Sequence, residues 1–90
     1  MTIVKADPGF ELLAAHHDGE FKIERSPIVA WRIEGDFAEP IALNPLFDGA
    51  FLTAVKCPSR EIIARGYSLR WHNEQAFIDE LPETFRQIRS

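Results

Sequence analysis

The chain predicts an α+β domain: an antiparallel sheet of about five strands, with a C-terminal helix, kinked or broken at Pro82, packed on one face. Three observations carry that expectation. Short runs with period-two alternation of apolar and polar residues recur between residues 10 and 72. An Asp18-Gly19 pair sits between two of those runs, which is the strongest short-range hairpin signal because a type I′ turn needs positive φ at both central residues. From Asn73 onward the period changes, and Ala76, Phe77, Ile78, Leu81, Phe85 and Ile88 recur at helical spacing.

In chain order, residues 1–9 read as a flexible arm closing on the turn signal Pro8-Gly9, and residues 10–90 as the single domain. Phe10 to His16 is the first strand. After Asp18-Gly19, Glu20 to Arg25 alternates, with Phe21 and Ile23 inward and Glu20, Lys22 and Glu24 outward. Ser26-Pro27 is expected to break that run. Ile28 to Glu34 is the central strand, ended by Gly35-Asp36. Its Val29, Trp31 and Ile33 should meet the helix, with Arg32 and Glu34 on the opposite face, beside Arg70 if the strands are neighbours. A short strand around Ile41 and Leu43 is bounded by Pro40 and Pro45, and loop signals follow to Gly49. Ala50 to Cys57 is a strong strand.

Residues 58–66 allow two readings. Ser59 could cap a short helix stopped by Gly66, or Pro58-Ser59 could turn into a strand over Glu61 to Arg65. The adjacent β-branched pair Ile62-Ile63 favours the strand. Tyr67, Leu69 and Trp71 then point inward from a last strand. Asn73 is an N-cap with Glu74 in the first helical turn. The residue before a proline resists helical geometry, so Pro82 divides the tail into a helix over 74–80 and another over 82–89.

Size and composition narrow the function classes. Ninety residues make one domain. A 46% hydrophobic content with seven Phe is enough for a packed core and leaves aromatics for an interface. Cys57 is alone, so no internal disulfide staples the domain. No apolar run approaches the length of a membrane span, and the first residues have no signal-peptide pattern. A cytoplasmic location is the expectation.

The net charge of −4 disfavours bulk nucleic-acid or anionic-membrane binding. It is uneven, however. The first fifty residues carry four basic and nine acidic side chains, while Lys56, Arg60, Arg65 and Arg70 face only Glu61 between Lys56 and His72.

Catalytic patterns are weak. His16 and His17 are adjacent on a strand and should point to opposite faces, which suits no shared metal. Cys57 reads as a small buried hydrophobe. Asp36 and Glu39 share a loop with little apolar surface to shift a carboxyl. The five glycines are isolated, so no phosphate loop exists. No cofactor and no metal site is expected, and the domain reads as non-catalytic.

The first expectation is therefore a protein–protein interaction or assembly domain that forms a homodimer. The alternative is a nucleic-acid or anionic-ligand module using the basic positions from Lys56 to His72. The candidate binding residues are Arg32, Arg60, Arg65, Arg70 and His72, with Phe37 and Phe47 as aromatics in loop-like sequence.

Overall fold

A computed structural model describes residues 1–44 and 48–89. The strands are β1 Thr2–Lys5, β2 Glu11–His17, β3 Phe21–Glu34, β4 Phe37–Ala42, β5 Leu52–Lys56, β6 Ile62–Ala64 and β7 Arg70–Trp71, followed by helices α1 Glu74–Asp79 and α2 Leu81–Arg89. All strand pairs are antiparallel. The order is β1-β3-β2-β5-β6-β7, with β4 on the other edge of β3. The fold is the expected α+β arrangement, with seven strands among the described residues rather than about five.

One strand lies where a flexible arm is expected, and another is longer than expected. The expected arm contains β1, which pairs with β3 from Thr2↔Ile33 to Lys5↔Ala30. The short strand expected around Ile41 and Leu43 is β4, which begins at Phe37 and ends before the exposed Leu43. Residues 62–64 are a strand, as the β-branched pair indicates. The preceding turn places Arg60 at φ 79, with Cys57 N donating to Glu61 O at 2.8 Å.

Strand β3 is the organising element, and Ser26-Pro27 does not break it. Ile28 N donates to Phe10 O at 3.0 Å, so in the alternating ladder Pro27 occupies a position that needs no N–H toward β2. Ser26 is fully buried, and its Oγ accepts from Asn44 N at 2.8 Å. That bond ties the chain after β4 to the middle of β3.

A register irregularity between Ile28 and Ala30 then bends the strand. Because of that bend, Ile28 and Trp31 turn to the same apolar cluster although they are three residues apart. The expectation that Val29, Trp31 and Ile33 meet the helix fails here. Val29 is exposed, and Trp31 packs edge-on against Phe10, with ring centroids 5.3 Å apart.

Both faces of the curled sheet are therefore used. On the helical side, Leu13, Ala15, Leu52, Ala54, Ile62, Ala64 and Trp71 bury against Phe77 and Leu81. Phe85 of α2 reaches Phe51 and Phe21, at 4.8 and 5.8 Å between ring centroids. On the other side, Ala6, Leu12, Ile28 and Ala42 form a second cluster with Phe10, Trp31 and Val55. The half of β3 beyond the bend, with β4, thus lies across the back of β2 and β5. Tyr67 was expected inward, but it is exposed in the bend before β7.

The helical layer is anchored by polar contacts. Asn73 Oδ1 accepts from Ala76 N at 2.8 Å, the expected cap. Glu74 accepts from Arg25 at 2.9 Å and from Lys56 at 3.2 Å. The Arg25 hydrogen bond, with Lys56 adding to it, holds the Glu74 carboxyl below its usual range.

A carboxyl whose folded pKa is depressed stabilises the fold above its unfolded pKa and loses that contribution as the pH falls through the folded value. Glu74→Gln is expected to cost about 1 kcal/mol at pH 7. The difference from the parent should close in acid, below roughly the ordinary carboxylate pKa. Paired urea melts at neutral and acid pH measure this, and a gap that stays constant across the range contradicts it.

Candidate functional site

The bend in β3 creates a cleft. Two adjoining cavities, of about 250 and 410 Å³, share Glu39 and Arg65. The smaller is lined by Arg32, Glu34, Phe37, Ala38, Glu39 and Arg65. The larger is lined by Leu12, Glu39, Pro40, Ile41, Ala42, Thr53 and Arg65.

Consecutive β4 residues of both facings line these cavities, so the cleft follows the strand's free edge rather than one of its faces. The opposite wall is β5 with the end of β6, where Arg65 N donates to Thr53 O at 2.9 Å. Phe37 stands at one end, 81% exposed.

Arg32 and Glu39 form an ion pair across β3 and β4. Glu39 is thereby engaged, and among the described residues Arg65 has no ion-pair partner. The cleft thus combines an apolar floor, one neutralised pair and one unpaired guanidinium.

Three of the sequence candidates, Arg32, Phe37 and Arg65, meet in this cleft. The others do not join them. Arg60 lies on the turn before β6 and lines a separate depression with Lys56, Asn73, Glu74 and Gln75. Arg70 approaches Glu61 at 3.5 Å and borders Ile63, Tyr67, Ser68 and Leu69. Arg32 is not beside Arg70, because β2, β5 and β6 separate their strands. His72 is exposed and lines neither cavity of the cleft. Phe47 lies outside the described residues.

Comparison with protein-family models, with curated proteins and with solved structures finds no match. The site's chemistry therefore rests on its own residues.

The remaining titratable groups are dispersed. His16 and His17 do point to opposite faces. His16 Nε2 lies 2.8 Å from Glu24 Oε1, a contact that becomes a hydrogen bond only when that nitrogen carries a proton. His17 stacks between Phe21 and Phe85, 4.5 Å from each. Burial, with Glu61 adding to it, pushes the Cys57 thiol up, away from the thiolate a nucleophile needs. Among the described residues, no three His, Cys, Asp or Glu side chains gather as a metal-binding group, and no helix is long and apolar enough to cross a membrane.

The sequence alone does not mark Leu12, Thr53 or Ile41 as cleft residues or β1 as an edge, and it places Glu39 in a loop with Asp36 where the structure has it on β4. Pro40 was a usable signal. A proline inside a strand-like run marks an edge strand, and an edge strand is what can border a cleft.

Proposed function

We propose that this is a non-catalytic cytoplasmic assembly domain that forms a homodimer through the free edge of β1. One observation carries the reading: β1 ends the sheet, with Ile3 63% and Val4 47% exposed, and it has neither proline nor bulge. Natural sheets blunt their edges with such devices. The other edges here are blunted. β4 contains Pro40, and β7 has only two residues.

The backbone geometry is self-complementary. Ala6 N donates to Val29 O at 3.1 Å, in the same register that pairs Val4 with Trp31. Hydrogen-bonded and non-bonded pairs alternate in an antiparallel ladder. Val4 therefore bonds toward β3, while Ile3 and Lys5 turn their N–H and C=O outward. A two-fold axis at Val4 pairs Ile3 with the partner's Lys5 and Lys5 with the partner's Ile3. About four backbone hydrogen bonds form, with the two Val4 side chains in contact. Each Lys5 stem lies along the partner's Ile3.

The basic residues give less support to the nucleic-acid reading. Arg32 and Arg70 are paired to carboxylates, and Arg60 lies apart from the cleft. The anionic-ligand version keeps Arg65.

Light scattering after size exclusion should give about twice the 10.3 kDa chain mass at high micromolar concentration. Ile3→Pro removes an outward N–H and leaves the β1–β3 bonds intact, so it should give a folded monomer. Val4→Pro should instead disrupt the β1–β3 ladder. A parent protein that stays monomeric, or an Ile3→Pro variant that stays dimeric, overturns the β1 interface.

A further inference from the structure

We propose that the cleft between β4 and the β5–β6 wall binds a small organic carboxylate with an apolar body, the acid held by Arg65 and the body lying on Leu12, Pro40, Ile41 and Ala42. This goes beyond the strand-edge dimer and does not depend on it, because β1 lines neither cavity.

The argument begins with charge. Four charged side chains line the two cavities: Arg32, Glu34, Glu39 and Arg65. The Arg32–Glu39 pair neutralises two of them. Glu34 sits at the β3–β4 turn and borders only the smaller cavity, opposite Phe37 in the hairpin register. In the larger cavity, Arg65 is therefore the only charge not engaged within the described chain.

A guanidinium offers a planar fork of donors that matches a carboxylate with two parallel hydrogen bonds. Thr53 lines the same cavity and carries a hydroxyl that is able to donate.

The rest of the larger cavity is aliphatic. Leu12, Pro40, Ile41 and Ala42 offer no polar side-chain atom, so a hydrophilic anion such as inorganic phosphate would leave most of its oxygens unpaired against this floor. The apolar end of a carboxylic acid instead gains from covering it. The cavity's 410 Å³ lies within the span of small-molecule sites, roughly 300–1,000 Å³. A cation is disfavoured by Arg65 itself, and a neutral ligand leaves the guanidinium's charge unanswered.

Pro40 also argues against an extended peptide as occupant. Gly35 at φ 60 opens a two-residue hairpin turn closed by the Glu34↔Phe37 pair. Counting alternate pairs from that closing pair puts the backbone of Ala38 and Pro40 on the cleft side. Pro40 has no N–H to give, so an added strand would lose a ladder bond there.

The test uses hexanoate, hexanol and hexylamine as probes in an NMR titration of the full chain. Hexanoate should shift the amides of Leu12, Ile41 and Thr53 saturably, with a dissociation constant on the order of 0.1–1 mM. Hexanol should bind about tenfold more weakly and hexylamine not at all. Arg65→Gln, an exposed position whose loss leaves the clusters intact, should weaken hexanoate about tenfold with an unchanged circular dichroism spectrum.

Three results overturn the proposal: no saturable shift with hexanoate at tens of millimolar, equal binding by hexylamine, or equal hexanoate binding by the Arg65→Gln variant.

Discussion

Phe77→Ala is expected to lower stability by about 3–5 kcal/mol, the largest loss of any single truncation considered for this domain. Phe77 is 1% exposed. Its ring meets Trp71 at 4.8 Å between centroids and 66° between planes, an edge-to-face geometry that adds about 0.5–1.5 kcal/mol to simple burial. It is also the single buried residue of α1. A six-residue helix has no independent stability, so α1 holds its place through this ring, the Asn73 cap and the Glu74 contacts.

A domain of this length has about 5–13 kcal/mol in total, so the variant should lose a large share of its stability. Urea denaturation followed by fluorescence measures the loss. Ile78 is the control, because it is 39% exposed on the same helix. If Ile78→Ala costs as much as Phe77→Ala, the face of α1 has been assigned wrongly.

Periodicity made the helical layer legible. Phe77, Leu81 and Phe85 recur at four-residue spacing, and that stripe is the one that packs. Spacing alone places Ile78 in the same stripe, but one residue is a rotation of about 100°, which carries its side chain to the edge of the apolar face. The β2–β3 hairpin was equally legible, because Asp18-Gly19 and the alternation on both sides agree. The turn itself differs from the expected type I′: Gly19 adopts positive φ, at 77°, but Asp18 does not, and the loop closed by His17↔Phe21 holds three residues, so Glu20 belongs to the turn rather than to the strand.

The bend in β3 was not legible, for a physical reason. Period-two reasoning assumes an unbroken pleat, and one extra residue reverses the inward set beyond it. Ser26-Pro27 looked like punctuation because proline lacks an N–H. Whether that absence matters depends on which partner the N–H would have faced, which is a tertiary fact.

The cleft depends on the same bend. Arg65 lies about thirty residues from Arg32 and Phe37 in sequence, and they meet because the outer half of β3 crosses the back of β2 and β5. The local basic run singles out Arg65 and loop-like sequence singles out Phe37, but neither signal gives a route to their meeting. The edge of β1 was hidden for another reason: four residues with one charge at the end of a chain read as an arm, and only the register with β3 makes them a strand.

Trp31→Ala tests the second cluster, and it is expected to cost about 2–4 kcal/mol. The loss is smaller than for Phe77 because Trp31 is half-buried, and its surroundings are Phe10, Leu12, Ile28, Ala42 and Val55 rather than the helices. About 0.5–1.5 kcal/mol of it reflects the edge-on contact with Phe10.

The chain's two tryptophans make the test specific, because one sits in each cluster. In the Trp31→Ala variant, Trp71 is the only indole left, and it reports the helical side. Its emission in the folded variant should match the Trp71 component of the parent, since the ring at 4.8 Å belongs to Phe77 and is untouched. The urea midpoint should fall while the slope stays near the parent value, because both clusters share β2 and β5 and so melt together. A loss below about 1 kcal/mol would mean that the outer half of β3 does not pack on the back of the sheet. A separate early transition, with Trp71 unmoved, would mean that β1, β4 and the outer half of β3 open as a unit of their own. In that case the cleft that ends on Pro40 and Ile41 would open with them.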